Sequence, residues 1–212
     1  MASTKVIRTS NYFNNFPNAL KIDWLNPPQL SPADCQAIAN NLPCQIDQAL
    51  QDYVSPQCSV NVDLKGSTVC IQHCAIGAFP YSFNVQFGQG LIMVDNAPDF
   101  VAGRKVAEKF PIHLTFNPPV KAIGTQIAIS SSDQIDIEYF GILNVRMDSG
   151  NNRDWDYWQT LGVFNQILGS APFIGAEAKA GKLISEAWFD AADANNLNNV
   201  PIVAINTLYI VP

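Results

Sequence analysis

From Ser59 to the end of the chain, apolar and polar side chains alternate with a period of two, interrupted at short intervals by Gly, Pro, Asn and Asp. Successive side chains of a strand point to opposite faces, so this rhythm predicts half-buried β-strands. It falls on residues 59–63, 81–87, 91–94, 112–116, 121–129, 134–140, 142–147, 173–177, 183–190 and 202–211. In 81–87, Tyr81, Phe83, Val85 and Phe87 share one face, and Ser82, Asn84 and Gln86 the other. In 134–140, Ile135, Ile137 and Tyr139 are expected inward, with Asp136 and Glu138 outward. Short strands separated by turns imply a mainly antiparallel β-sandwich rather than strand-helix repeats.

The first 56 residues read differently. Residues 1–30 are rich in Asn and Pro, with isolated aromatics at Tyr12, Phe13, Phe16 and Trp24, and describe an extended arm packed on the sandwich. Ser31 followed by Pro32 predicts a helix start, because the hydroxyl caps free amides and proline suits the first turn. Pro43 ends or kinks that helix, and residues 45–53, with Ile46, Ala49, Leu50 and Tyr53 at helical spacing, predict a further turn or two. Residues 31–56 are thus expected as short helices and 57–212 as the sandwich, in a single domain over 1–212.

With 48% hydrophobic residues, the 212-residue chain can bury a sizeable core, and only 14% of its residues are charged. The net charge of -6, with Lys and Arg scattered along the chain, supplies no basic footprint for nucleic acid or an anionic membrane surface. No apolar run approaches the roughly 20 residues that span a bilayer. Five cysteines, Cys35, Cys44, Cys58, Cys70 and Cys74, crowd the first third. They read either as local disulfides with at least one thiol left over, or as small buried apolar residues. Their clustering in loop-rich sequence favours an extracellular or cell-surface protein. Residues 1–10 lack the apolar core of a secretory leader, so a cytoplasmic location stays open.

Three segments, FNPPVKAIGTQI (116–127), PFIGAEAKAGKLISEAWFD (172–190) and PIVAINTLYI (201–210), resemble in order and spacing a jelly-roll-like β-sandwich of exported bacterial proteins, including those of the PEP-CTERM kind. The resemblance covers roughly the C-terminal half and its motifs are structural. It implies an all-β, jelly-roll-like fold. This chain carries Asn206 where that family has an acidic residue, and the sorting tail is absent from the sequence. Similar sandwiches serve as carbohydrate-binding modules, so the resemblance implies a sugar ligand by analogy of fold. Gly124 and Gly175 mark points where a strand bends or another backbone comes close.

The densest candidate chemistry is DSGNNRDWDYW at 148–158. Oxygens of Asp148, Asn151, Asn152, Asp154 and Asp156 are candidate ligands for Ca2+, a hard cation that tolerates irregular oxygen cages; the competing reading is a hydrated hairpin loop. Trp155, Tyr157 and Trp158 beside carboxylates suit a sugar site, with flat rings against C-H faces and acidic oxygens accepting hydroxyl protons. If the segment is a strand, Trp155 and Tyr157 share a face opposite Trp158, and that pair is equally readable as core. Trp188 shares a face with Ile184 and Glu186, and either face of that strand could be the buried one. Cys70, His73 and Cys74 lack the second spaced pair of a closed zinc site, and His113 reads as a surface or second-layer residue. Asp136 and Glu138, about 7 Å apart along one strand face, are candidate paired carboxylates for glycoside hydrolysis, against the ordinary reading of solubilising charge.

The expected function is a non-catalytic binding or surface-associated module of an exported protein, with a carbohydrate or other small neutral ligand and Ca2+ as a structural ion. The alternatives are a sandwich-fold enzyme using Asp136, Glu138, Asp154 or Asp156, such as a glycosidase, lyase or cyclase, and a self-assembling structural protein.

Overall fold

A computed structural model of the chain describes residues 2–22, 24, 44–46, 59–63, 68–73, 84–85, 90–95, 112–130, 136–148, 154–164, 169–195 and 202–212. Among them run β1 (Thr4–Ile7), the 3-10 helix η1 (Ser10–Asn15), β2 (Leu20–Ile22), β3 (Cys44–Ile46), β4 (Ser59–Asp63), β5 (Thr68–His73) and β6 (Gly90–Asp95). Then follow β7 (Ile112–Val120), β8 (Ala122–Ser130), β9 (Ile137–Met147), β10 (Trp155–Phe164), β11 (Phe173–Ala178), β12 (Ile184–Asp193), β13 (Ile202–Ile205) and β14 (Leu208–Val211).

The strands form two antiparallel sheets, so the fold is an all-β sandwich. One sheet has the order β10-β9-β12-β7-β4. The nine-stranded sheet runs β1-β11-β8-β13-β6-β5-β3, with β14 on β8 and β2 on β14. Twice the chain crosses between sheets at neighbouring points. Lys121 alone separates β7 from β8, and the turn at 179–183 carries β11 into β12. Ala178 N donates to Lys121 O (2.8 Å), which binds the two crossings together.

The core forms where the inner faces meet. Along β9, Ile137, Tyr139, Leu143, Val145 and Met147 are buried while Glu138 is exposed, as alternation predicts. The predicted break between 134–140 and 142–147 does not occur. Gly141 continues the strand, and its lack of a side chain makes room for Ile127 of the facing sheet, whose Cγ2 would lie 2.4 Å from a Cβ there. Tyr139 crosses the sandwich to donate to Ile127 O (2.8 Å). Gly124 and Gly175 stand opposite each other on β8 and β11, with the Cβ position of Gly175 2.4 Å from Ile123 O.

Several expectations are corrected. The arm is part of the sheet: β1 pairs β11 and β2 pairs β14, while Phe13 of η1 packs against Tyr209 and Phe173 with ring centroids 5.4 and 6.1 Å away. Cys44–Ile46, placed at the edge of a helical segment by its apolar spacing, is a strand paired with β5, so sheet pairing overrides local periodicity there. The rest of the expected helices lies outside the described residues. In 81–87, Asn84 and Val85 form a bend with both residues buried, and Asn84 Nδ2 donates to Val163 O (3.0 Å) and Ser170 Oγ (2.9 Å). The remaining residues of that expected strand are likewise outside the description.

The closing strand is two strands, not one. Three residues, Asn206 to Leu208, span the interval that Thr125 and Gln126 span on β8, which is a bulge. Asn206 fixes it: Oδ1 accepts from Gln126 N (3.2 Å), Nδ2 donates to Gln126 Oε1 (2.7 Å), and the buried Trp24 indole donates to its carbonyl (2.7 Å).

Candidate functional site

The outer face of the five-stranded sheet gathers the aromatic and charged side chains that the core leaves outside. On β10 the even positions turn inward, so Trp158 packs on the core while Trp155 and Tyr157 stand 41% and 52% exposed. Trp158 is half-buried on the inner side, and the core reading of Trp155 and Tyr157 does not hold. The cause lies on the inner side of this edge strand. Trp158 Nε1 donates to Thr4 Oγ1 (2.8 Å), and Asp156 Oδ2 accepts from Thr4 N (2.5 Å) and Thr4 Oγ1 (2.6 Å), which holds the even positions toward β1.

β12 turns its own aromatic to the same face by a bulge. Its pairing slips between Ile184 and Glu186, so Ile184, Ala187, Phe189 and Ala191 are all buried while Glu186 and Trp188 face outward. Register then aligns Tyr157, Asn144, Trp188 and His113 in one row across four strands, and Trp155, Arg146, Glu186 and Thr115 in the next.

Within these rows the contacts are specific. His113, 3% exposed, stacks on Trp188 with centroids 4.2 Å apart and planes 10° apart. Its Nε2 lies 2.9 Å from Glu186 Oε2, and Arg146 pairs with the other oxygen of Glu186. Arg146 also lies over the Trp155 ring at 5.9 Å, and Trp155 meets Trp188 at 4.4 Å and 44°. Gln159 donates to the Tyr157 hydroxyl. One carboxylate therefore anchors the His113 imidazole on one side and the Arg146 guanidinium on the other, and each of these groups lies against an indole. The result is a rigid, tilted pair of indoles beside an exposed phenol, with amide and charged groups between them. Trp188 and Glu186 of β12, His113 of β7 and Arg146 of β9 come from three strands, and only the register brings them together.

The carboxylates expected around a cation have protein partners. Asp154 Oδ1 accepts from Ser3 Oγ (2.6 Å) and Oδ2 from Lys182 Nζ (2.6 Å), and Asp156 accepts from Thr4. Asp148 is exposed, and Asn151 and Asn152 lie outside the described residues. No group of three or more His, Cys, Asp or Glu among the described residues is placed to hold a metal ion. The seam that Asp154 and Asp156 make ties the edge strand of one sheet to that of the other, which blunts both edges.

The candidate carboxylate pairs are kept apart. Asp136 and Glu138 sit at one end of the β9-β10 hairpin, where Phe164 pairs Ile137; Asp154 and Asp156 sit at the other, where Trp155 pairs Arg146. Asp136 adopts the left-handed region (φ 64°) just before β9 instead of extending it, with its N-H bonded to Phe164 O (2.7 Å). Of the cysteines, Cys44 and Cys70 are placed at neighbouring positions of β3 and β5 by register, with Gln45 opposite Cys70, and Cys35, Cys58 and Cys74 lie outside the described residues. No helix among the described residues is long and apolar enough to cross a membrane. Comparison of the chain with family models, with curated proteins and with solved structures finds no match.

Proposed function

We propose that the protein is a non-catalytic binding module whose ligand is a neutral carbohydrate seated on the outer face of the five-stranded sheet. The observation that carries this reading is the exposure of Trp155 and Tyr157, two positions apart on β10, beside Trp188 braced by His113. Core packing leaves these rings out. Aromatic faces suit the apolar C-H face of a sugar, while Asn144, Glu186 and Arg146 alongside offer polar partners for hydroxyls. Glu186 is engaged by the His113 ring on one side and the Arg146 guanidinium on the other, which suits a fixed acceptor better than a group that must shuttle a proton. The resemblance to jelly-roll sandwiches and the cysteine clustering support placing the module outside the cell. Calcium enters this reading as a structural ion near Asp148.

A glycan array probed with and without EDTA tests the proposal. Trp155→Ala and Tyr157→Ala are each expected to weaken binding by about tenfold, equivalent to ~1.4 kcal/mol, and Trp158→Phe to leave it unchanged. Absence of binding in both conditions would overturn the sugar reading. Loss of binding in EDTA alone would support the ion, and turnover of chromogenic glycosides would favour the enzyme alternative.

A further inference from the structure

Lysines that are scattered in sequence meet at two neighbouring inter-sheet crossings. Lys5 of β1, Lys121 at the first crossing, and Lys179 and Lys182 in the second line an open cavity of about 550 Å3, together with Glu177, Ala178 and Leu183. Four of the chain's twelve Lys and Arg residues thus surround one space, in a protein of net charge -6. The nearby acids are Glu177, opposite Lys5 in the β1-β11 ladder, Asp154 on Lys182, Asp148, whose N-H bonds Leu183 O, and Asp156 on Thr4, while Lys121 and Lys179 have no carboxylate within ion-pair distance among the described residues.

Three of the four ammonium groups have defined neighbours. Lys182 Nζ donates to Asp154 Oδ2 and Ser3 Oγ, each at 2.6 Å, and Lys179 Nζ donates to Ala2 O. Lys121 Nζ lies 5.0 Å from the Phe16 ring centre. An ammonium has three donors, so these contacts leave Lys179 and Lys121 able to donate further. Such pre-positioned point charges, arriving from three separate segments, suit an acceptor with oxygens in several directions. A lysine lining without arginine lacks the planar fork that reads a carboxylate bidentately. The volume also exceeds what a bare oxyanion fills, and falls in the range of small-molecule sites.

We propose that this cavity is a second binding site, distinct from the aromatic face, for a tetrahedral dianionic group, a phosphoryl or sulfuryl ester, carried on a small organic molecule. The sources differ in the central atom and share the recognition chemistry.

The test uses the full 15N-labelled chain titrated with inorganic phosphate, inorganic sulfate and, at matched ionic strength, chloride. The amides of Lys121 and of 179–183 are expected to shift saturably with one or both dianions and not with chloride. Lys121→Gln combined with Lys179→Gln, both at exposed positions, is expected to weaken that response by about tenfold or more, the loss typical of charged hydrogen bonds. Far-UV circular dichroism confirms the fold of the variant, and the single substitutions serve if the pair destabilises it. Trp155→Ala is expected to leave the response intact, which separates this site from the sugar face. Binding of phosphate alone identifies a phosphoryl ester, of sulfate alone a sulfate ester, and of both a site that reads charge. Shifts that never saturate, that follow chloride equally, or that persist in the lysine variant would overturn the proposal.

Discussion

Gly175→Ala should be among the most damaging single-methyl additions in this protein. The new Cβ would sit 2.4 Å from the backbone oxygen of Ile123 and 2.9 Å from Gly124 Cα, in the middle of the β8-β11 ladder. A comfortable carbon contact needs about 3.5 Å, so the strands must part by about 1 Å. Hydrogen bonds near 2.9 Å do not survive that stretch. Losing about two ladder bonds at roughly 1 kcal/mol each, plus some overpacking strain, gives about 2–4 kcal/mol. For a domain of this length that corresponds to a fall in Tm of roughly 5–15 °C. Gly181→Ala is the internal control: its φ is +79° but nothing lies within 4 Å of the added Cβ, so only backbone strain of about 1 kcal/mol applies. Urea unfolding followed by tryptophan fluorescence, with scanning calorimetry alongside, measures both. A Gly175→Ala protein within about 0.5 kcal/mol of wild type, or more stable than Gly181→Ala, would refute the close approach of the two strands.

Three further outcomes follow from single contacts. Tyr139→Phe removes the inter-sheet bond to Ile127 O and is expected to cost about 1 kcal/mol at neutral pH in a urea titration. Burial raises the Tyr139 phenol above its ordinary value, and burial with the neighbouring Glu177 carboxylate does the same for Tyr12. Because the folded values lie above the unfolded ones, stability is full below pH of about 10 and falls as pH rises beyond it; Tyr139→Phe should flatten that alkaline loss. Asn206→Asp places a carboxylate where the amide donates to Gln126 Oε1, and should destabilise by about 1–3 kcal/mol at pH 7, with part of the loss recovered in acid as the buried acid protonates. Asp156→Ala releases Thr4, and amide exchange at Thr4 and its β1 neighbours should accelerate while exchange in β8 stays slow.

Alternation made the inner strands legible because both sides of the pattern are enforced there. Ile137, Tyr139, Leu143 and Val145 have a facing sheet to fill, and their intervening residues do not. The pattern misleads where something other than apolarity decides the inner side. β10 is an edge strand whose inward positions include Asp156 and Thr160 beside Trp158, tolerated because Thr4 bonds the carboxylate, so Trp155 and Tyr157 stand outside. In β12 one extra residue moves Trp188 from the face of Ile184 to the opposite face, a shift invisible in spacing alone. β1, β2 and β3 are three or four residues long, too short for periodicity to register, and owe their existence to partners far along the chain. Trp155 and Tyr157 were legible as candidate ligand contacts. Trp188, His113, Glu186 and Arg146 were not legible as their neighbours, since that association depends on the pairing of β7, β12, β9 and β10.

The four tryptophans give the most direct test of the aromatic face. Their indole N-H resonances are resolved from the backbone in a 15N-1H correlation spectrum, so titrating neutral oligosaccharides reports on each ring separately. Movement of the Trp155 and Trp188 signals is expected, while those of Trp24, bonded to Asn206 O, and Trp158, bonded to Thr4 Oγ1, stay in place. Movement of Trp24 or Trp158 without Trp155 and Trp188, or stillness of all four across the oligosaccharides, would contradict it.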